Sequence, residues 1–195
     1  MNAILATTHD FMLALRGTMP WTLSDDFDTI SKMDMSFFRK MTKGANLVMG
    51  YNTWLSLHEQ TLPGRGIHFV ITSKKIESTD KVKFMTLDEF KKNHIDMENL
   101  WCIGGAKLYS ALIPYCNDVY WNELTLQKRK YNKLIGCSPK NERLFLDKTL
   151  KNFLQTRGGA SYKEMETVLM SDGNHSFITY HHMRKFIYPE LNISI

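Results

Sequence analysis

An acid on an apolar helix face is the first feature of this chain that could carry chemistry. Residues 34 to 42 read DMSFFRKMT, and one face of the helix that this pattern predicts carries Asp34, Phe37, Phe38 and Met41. Burying a carboxylate is costly unless it is hydrogen-bonded or neutral, and burial raises its pKa, so such an acid usually has a partner in a functional site. Alternatively, Asp34 caps the first turn of its helix, since Ser31 three residues earlier resembles a helix start.

Glycines that end apolar strands are the second such feature. Residues 101 to 109, WCIGGAKLY, change from an apolar run to a helical pattern at Gly104-Gly105, and residues 46 to 50, NLVMG, end in Gly50. Backbone N–H groups and the positive end of a helix at such a break form an anion site, which suits a phosphate. A glycine pair is also an ordinary way to turn a corner, so the motif alone is a weak signal.

Alternating strands and helices are expected to position these groups. Apolar runs over the first 125 residues predict strands near 2–8, 46–50, 67–72, 82–86, 99–103 and 118–124. Periodic stretches predict helices from about 31 to 42, 52 to 57, 86 to 93 and 107 to 113, the second capped by Asn52 or Thr53 and the third opened by a capping box at Thr86. This order favours a mainly parallel sheet with helices on both faces and ligands at the carboxyl ends of its strands.

The rest of the chain is less regular. Residues 9–24 are expected to form a loop, and residues 126–160 a polar surface excursion in which the basic run at 127–133 is a solvated loop. Two alternating segments, ASYKEMETVLM and HSFITYHHMRK, are separated by a turn sequence at 171–174 and predict a closing hairpin. The apolar tail that follows has no assigned role.

Composition limits the class of protein. The chain has 195 residues, of which 43% are hydrophobic, so we expect a single domain over 1–195, with insertions near 24–33 and 126–160 and a tail at 184–195. The net charge of +5 is dispersed, which disfavours a nucleic-acid partner and suits small anionic ligands. Three cysteines without metal-ligand spacing predict reduced thiols and no metal site. Because no apolar window could span a bilayer and the N-terminus lacks a signal peptide, we expect a cytoplasmic protein with no membrane contact.

Five motifs in order carry a family resemblance. MPW at 19–21, DMSFFRKMT at 34–42, VMGYNTW at 48–54, LPGR at 62–65 and IGGAKLY at 103–109 resemble the dihydrofolate reductase family, and HSFITYH resembles its final strand. The resemblance implies a three-layer α/β/α sandwich with a mostly parallel central sheet, four helices and a C-terminal antiparallel hairpin. It also implies a monomeric, NADPH-dependent dihydrofolate reductase that transfers a hydride to 7,8-dihydrofolate, giving tetrahydrofolate for one-carbon and thymidylate metabolism, and that is inhibited by antifolates.

The catalytic residues implied by the resemblance are Asp34, which would hydrogen-bond the pterin amino group and ring nitrogen, and Trp21, which would hold an ordered water beside it. Counting forward from MPW by the family's interval reaches Asp26 instead, whereas counting back from Phe38 and the later motifs reaches Asp34. We choose Asp34, because the helix motif and everything after it keep register. Asp26 is then expected to face solvent.

The remaining site residues are implied in the same way. Substrate is expected at Ile4, Leu5, Ala6, Met35, Phe38, Ser56, Leu57, Leu62, Arg65, Ile103, Tyr109 and Asn122, with Arg65 pairing with the folate tail's carboxylate. NADPH is expected at Ala6, Leu13, Gly50, Tyr51, Asn52, Thr53, Thr72, Ser73, Lys74, Ile103, Gly104, Gly105, Ala106, Lys107, Leu108 and Tyr109. Without the resemblance, the apolar members of both sets would be assigned to the core.

Three positions depart from the family's pattern. Tyr51 stands where an Arg or Lys usually contacts the cofactor's 2′-phosphate, Asn122 replaces a Thr that hydrogen-bonds the acid, and Gly66 adds a residue after Arg65. Two rival functions remain at this stage. One is a reductase of the same fold acting on a ribosylated pyrimidine, which would lack the acid with Phe at i+4 and the LPGR motif. The other is a non-catalytic relative with a structural or interaction role.

Overall fold

The fold is built on an eight-stranded sheet. A computed structural model describes residues 1–173 and 175–186 of the chain. The strands are β1 (Asn2–Thr8), β2 (Met12–Leu15), β3 (Asn46–Gly50), β4 (His68–Ile71), β5 (Val82–Met85), β6 (Leu100–Gly104), β7 (Asp118–Thr125), β8 (Arg143–Phe145), β9 (Tyr162–Ser171) and β10 (Phe177–Lys185). The main sheet has the order β5-β4-β3-β6-β1-β7-β10-β9, and β2 and β8 form a separate two-stranded sheet. The six strands β5, β4, β3, β6, β1 and β7 are parallel to one another, whereas β10 is antiparallel to both β7 and β9.

Helices cover both faces of this sheet. They are α1 (Asp28–Met41), α2 (Tyr51–Ser56), α3 (Leu87–Asn93), α4 (Ala106–Leu112), α5 (Lys128–Gly136) and α6 (Lys148–Gln155). Alternate side chains of β1 show the layering: Leu5 packs in a core cluster with residues of α3, α4 and α6, whereas Ile4 packs with Trp54 of α2 and with Phe37 and Phe38 of α1. The predicted three-layer sandwich, mostly parallel sheet and C-terminal hairpin are therefore confirmed.

Helix α1 begins earlier than its sequence pattern predicts. Ser24 caps a short 3-10 turn at Asp25–Phe27, which leads directly into α1 at Asp28. Asp34 consequently lies in the middle of a 14-residue helix, so the interpretation of Asp34 as an N-terminal capping acid is wrong. The residues near 24–33 that were expected as an insertion form this turn and the first half of α1.

Two further local predictions differ from the structure. Gly50, and not Asn52 or Thr53, is the N-cap of α2, and no side chain caps that helix. The strand predicted at 67–72 is limited to β4, His68–Ile71. By contrast, the capping box at Thr86 is present, since its side chain accepts from the Glu89 backbone N–H and the Glu89 side chain accepts from the Thr86 N–H.

The excursion at 126–160 is more ordered than predicted. It contains α5, β8 and α6, which bring the helices in the described part of the chain to six instead of the implied four. The basic run at 127–133 lies almost wholly in α5 and is not a loop. Strand β8 pairs with β2, which lies inside the segment 9–24 that was expected to be irregular.

The hairpin β9–β10 closes one edge of the sheet. The turn residue Asn174 and most of the predicted tail, residues 187–195, lie outside the described residues. No helix between residues 1 and 186, as far as the structure describes them, is long and apolar enough to cross a membrane.

Candidate active site

Asp34 is buried on the inner face of α1, where two side chains hold its carboxylate. Its side chain is 3% exposed. The indole Nε1 of Trp21 donates to Oδ2 at 3.2 Å, and the amide Nδ2 of Asn122 donates to Oδ1 at 2.7 Å. The first partner comes from a 3-10 turn at Pro20–Thr22 and the second from the centre of β7, so three distant segments meet at this carboxylate.

Burial dominates the ionisation of this acid. Desolvation raises the pKa of Asp34 from 3.8 to about 6, although the hydrogen bonds from Asn122 and Trp21 oppose the rise. A carboxyl group with a pKa near neutrality changes its protonation state easily at working pH, as groups in active sites often do. Asp26, the alternative acid, is exposed and pairs with Lys130 at 2.9 Å, in agreement with its predicted solvent position.

Two central strands separate near Asp34, whose partner Asn122 lies opposite Ala6 in the register of β1 and β7. Strand β1 pairs with β6 only at Asn2 and Ala3, whereas it pairs with β7 along its whole length. Beyond Ala3, the edge of β1 that faces β6 is therefore free of strand pairing. The hydroxyl of Tyr109 in α4 donates to the Ile4 carbonyl at 2.8 Å and ties the two sides of this opening together. Open parallel sheets place ligands at such carboxyl ends of strands.

One wall of the site is apolar and half-buried. Phe38 of α1, Leu57 and Leu62 on either side of the turn after α2, and Ile103 of β6 all pack against the cluster that contains Ile4. Each of the four keeps part of its surface accessible. Such a wall suits a flat aromatic ligand, because it offers apolar contact without a fully closed core.

The turn at 62–66 fixes Arg65 next to this wall. Its guanidinium donates to Thr42 Oγ1 at 2.9 Å and to the Pro63 carbonyl at 2.6 Å, and it lies 5.7 Å from the centre of the Phe38 ring. A Cβ on Gly66 would lie 2.3 Å from Asn46 Oδ1, so a larger residue here would have to displace this side chain, which accepts from the Ile67 backbone N–H at 2.9 Å. The extra glycine therefore belongs to a built turn, and Arg65 remains beside Phe38.

The second predicted part of the site lies where β3 and β6 end together. Met49 is in register with Gly104, so Gly50 and the Gly104-Gly105 pair, which is joined by a cis peptide bond, lie side by side. A Cβ on Gly104 or Gly105 would lie 3.2 or 3.3 Å from Thr53 Oγ1, which shows how closely α2 approaches these glycines. The first N–H groups of α4, at Ala106 and Lys107, have no acceptor within their helix and can bind an anion.

A groove of about 570 Å³ extends along the end of β4 near this point. It is lined by Thr72, Ser73, Lys74 and neighbouring residues up to Glu77, and by residues around β5. The ammonium of Lys74 lies 4.3 Å from the centre of the Tyr51 ring, a cation–π distance. Tyr51, the residue that departs from the family's pattern, thus positions a cation at this groove.

Comparison with known proteins shows which family this chain belongs to. The family described as dihydrofolate reductase matches residues 1–132. The chain belongs to the dihydrofolate reductase family. The dihydrofolate reductase of Buchnera aphidicola subsp. Acyrthosiphon pisum is 24% identical over 126 residues, covering 65% of this chain and 73% of that protein. Dihydrofolate reductase type A10 of Escherichia coli is 30% identical over 117 residues, covering 58% of this chain and 59% of that protein.

A solved structure shows the same fold. The dihydrofolate reductase from Enterococcus faecalis, complexed with NADP(H) and RAB-propyl, matches with a TM-score of 0.69 at 20% identity, covering 95% of this chain and 96% of that chain. The likeness thus extends beyond residues 1–132, which the family match covers. At this identity it concerns the fold alone.

Several residues expected from the dihydrofolate reductase family have side chains that are packed in the core or exposed to solvent. Leu5 points into the core on the α4 side, so only its backbone can reach a ligand. Leu13, in β2, also packs against that core. Asn52, Ser56 and Lys107 are exposed, and Ser56 donates to the Thr53 carbonyl. The remaining expected residues, apart from those discussed above, are Ala6, Met35, which is half-buried on α1, and Leu108, which is buried in α4.

Sequence reasoning missed two features around this family site. Tyr180 of β10 lies opposite Asn122 in the strand register, and its pKa is raised to about 12 by burial and by the charge of Asp34, so its phenol belongs to the surroundings of the acid. The excursion also contacts the residues on either side of β2, since Tyr131 Oη donates to Asp10 Oδ1 at 2.9 Å and Arg16 pairs with Glu142 at 3.1 Å. Only the alternation of β10 could have indicated the first contact, and no local signal indicates the second.

Proposed function

We propose that this chain reduces 7,8-dihydrofolate to tetrahydrofolate with NADPH, and that Asp34 is the residue that binds and orients the pterin ring. The chain is an oxidoreductase of the dihydrofolate reductase family, and the observation that supports these roles is the buried carboxylate at the open side of β1. A charge-assisted hydrogen bond from a ligand to such a group contributes about 1.5–3 kcal/mol. It also fixes the ring in one orientation, which hydride transfer requires.

The pterin is placed by residues on three sides. Asp34 accepts its amino and ring N–H groups, Phe38 and Leu57 contact the ring faces, and Ile103 borders the reacting edge. Arg65, oriented by Thr42, is aimed to pair with the carboxylate of the glutamate tail. The role of Asp34 is to orient and polarise the ring; the proton that N5 receives comes from solvent.

The ends of β3 and β6 are proposed to hold the cofactor, because Gly50, Gly104 and Gly105 expose their backbone there and a Cβ on Gly104 or Gly105 would lie 3.2 or 3.3 Å from Thr53 Oγ1. Bound NADPH supplies the hydride that is transferred to C6. Gly50, Gly105, Ala106 and Lys107 are proposed to hold its pyrophosphate through backbone N–H groups, and Tyr109 to border the nicotinamide while tied to the Ile4 carbonyl.

The groove near Lys74 is proposed to take the 2′-phosphate of NADPH. Lys74 lies on the Tyr51 ring and supplies the positive charge that an Arg or Lys at position 51 would otherwise give. Thr72 and Ser73 add hydroxyl groups at the same groove. We also propose that the enzyme acts as a cytoplasmic monomer, without nucleic-acid or membrane partners.

An oxidation assay tests the function. Purified protein with NADPH and dihydrofolate is expected to oxidise the cofactor, and Asp34→Asn is expected to remove most of this activity, whereas the matched Asp26→Asn variant retains it. No oxidation by the wild-type protein above a no-enzyme control would refute the proposal. Loss of activity in Asp26→Asn but not in Asp34→Asn would show that Asp26, and not Asp34, is the acid that binds the pterin.

A further inference from the structure

His68, at the start of β4, is a buried histidine whose two ring nitrogens bond to both ends of the turn at 62–66. Nε2 accepts from the Leu62 backbone N–H at 3.0 Å, and Nδ1 donates to the Gly66 carbonyl at 3.2 Å. These partners fix the protonation of the ring, because a backbone N–H can only donate and a carbonyl can only accept. The imidazole is therefore neutral, with its proton on Nδ1.

The two halves of this turn are anchored differently. Backbone hydrogen bonds of 2.8 Å join Gly64 and Gly66, in the second half, to residues 44–45 before β3. The first half is bonded to the ring of His68 through the Leu62 N–H. Loss of the imidazole would therefore release the first half of the turn while the backbone bonds keep the second half in place.

The first half of the turn carries two contacts of the proposed substrate site. Leu62 belongs to the apolar wall, and the Pro63 carbonyl accepts from Arg65 Nη1 at 2.6 Å. The same guanidinium donates to Thr42 Oγ1 at 2.9 Å. A movement of Leu62 and Pro63 would take the Pro63 acceptor away from Arg65. Because a guanidinium binds a carboxylate best when its planar fork is held in one orientation, this movement would weaken such a pair.

Building on the proposed function, we infer that His68 is a positioning residue for the tail of the substrate. Its neutral imidazole holds the first half of the turn, which places Leu62 against the benzoyl ring and orients Arg65 toward the glutamate carboxylate. His68 itself contacts neither substrate nor cofactor in this role. The site thereby favours pteridines with a benzoylglutamate tail over pteridines without one.

A pair of ligands with and without the tail tests this inference. The probes are methotrexate and 2,4-diamino-6-methylpteridine, which share the diaminopteridine ring. The measurement is the Kd of the tail-less compound divided by that of methotrexate, in the presence of NADPH. In His68→Leu, which lacks both ring nitrogens, this ratio is expected to fall about tenfold, because only methotrexate uses Leu62 and Arg65.

Two conservative variants separate the two ring nitrogens. A Gln side chain can place its amide oxygen where Nε2 lies, so His68→Gln is expected to keep the Leu62 bond and a ratio close to that of wild type. The shorter Asn side chain reaches only the position of Nδ1. His68→Asn is therefore expected to lose the Leu62 bond and to lower the ratio as His68→Leu does.

His94 offers a matched control. It is half-buried, and its ring packs on Phe69, the neighbour of His68 in β4, at a distance of 4.7 Å between ring centres. Successive side chains of a strand point to opposite faces of the sheet, so His94 lies on the face away from the turn. His94→Leu is expected to keep the wild-type ratio.

A double variant tests whether His68 acts through Arg65. Arg65→Leu removes the guanidinium that is oriented, so adding His68→Leu to it is expected to lower the ratio by less than about twofold. The thermal shift with NADPH verifies that each variant folds and binds the cofactor. If His68→Leu does not fold, the comparison of His68→Gln with His68→Asn carries the test.

The possible failures can be told apart. A wild-type ratio in both His68→Leu and His68→Asn would overturn the inference, whether the affinities for the two probes fall together or stay unchanged. A ratio as low in His68→Gln as in His68→Leu would also overturn it, since the Leu62 bond would then not be the cause. So would a full tenfold effect of His68→Leu in the absence of Arg65. If wild type binds neither probe yet gains stability from NADPH, the proposed substrate class is wrong, and the inference falls with it.

Discussion

Replacing Asp34 with Asn is expected to stabilise the free enzyme at neutral pH while removing its activity. The pKa of this carboxyl group is 3.8 when exposed and about 6 in the fold. A group with a raised pKa in the folded state contributes stability that is fully present below pH 3.8 and is lost as the pH rises through about 6. The complete change corresponds to about 3 kcal/mol in the free energy of unfolding.

The Asp34→Asn variant does not lose stability in this way as the pH rises, because an amide does not titrate. The introduced amide can still accept from Trp21, and its own N–H can donate to Asn122 Oδ1 if the Asn122 amide turns over. From the two pKa values, the stability of Asp34→Asn minus that of wild type is expected to grow by about 1.4 kcal/mol between pH 5 and pH 7.5.

Urea unfolding of both proteins without ligand, at pH 5 and at pH 7.5, measures this difference. Asp26→Asn is the matched control: Asp26 is exposed and its pKa is lowered by Lys130, so its stability difference from wild type is expected to stay constant over this range. If the difference for Asp34→Asn is also constant, the carboxyl group of Asp34 does not titrate near pH 6 and the reasoning from its burial is wrong.

Three further predictions concern groups around the site. Lys74→Met is expected to raise KM for NADPH several-fold and to leave KM for NADH unchanged, because the ammonium on the Tyr51 ring faces the 2′-phosphate; equal changes for both cofactors would contradict this. Tyr131→Phe is expected to lower the free energy of unfolding by about 1–2 kcal/mol, measured in urea, through loss of its bond to Asp10. His68 accepts the Leu62 N–H at 3.0 Å and burial lowers its pKa below 6.5, so its contribution to stability is complete above that pH and is lost as the pH falls. The Tm of wild type is therefore expected to fall relative to His68→Gln between pH 7 and pH 5, and a constant difference would exclude this role.

Local signals in the sequence predict much of this fold correctly. The parallel strands are short apolar runs bounded by polar residues, and the capping box at Thr86 is complete within four residues, so both are visible without tertiary information. The start of α1 was misplaced because Ser31 resembles a cap, whereas the cap at Ser24 belongs to a 3-10 turn that precedes the helix. The pairing of β2 with β8 joins residues about 130 positions apart and leaves no local pattern, so the sequence predicts only an irregular surface excursion here.

The candidate site could likewise be predicted from the sequence only in part. Motif spacing reaches Asp26 from one side and Asp34 from the other, and the register of the later motifs favours Asp34; the structure buries Asp34 and leaves Asp26 exposed. The orientation of the Asn122 amide could not be predicted, since it depends on a 2.7 Å contact between α1 and β7. The position of Tyr180 opposite Asn122 likewise depends on the register of two antiparallel strands.

The two polar groups at the centre of the site both weaken the free enzyme. Asp34 is desolvated with two hydrogen bonds, and Asn122 Oδ1 has no partner within residues 1–173 and 175–186, so the fold carries unfavourable terms that a ligand with N–H groups can reduce. A ligand that supplies these donors binds the ionised carboxylate and lowers the pKa of Asp34 in the complex. Binding of such a ligand as a neutral molecule is therefore expected to release a proton near pH 6, whereas a ligand that is neutral in solution and becomes a cation in the complex is expected to take a proton up, because it gains a whole proton while Asp34 gives up only part of one. The sign of the proton exchange in calorimetry with buffers of different ionisation enthalpy then reports which partner carries the proton, and this follows from the burial of one carboxylate.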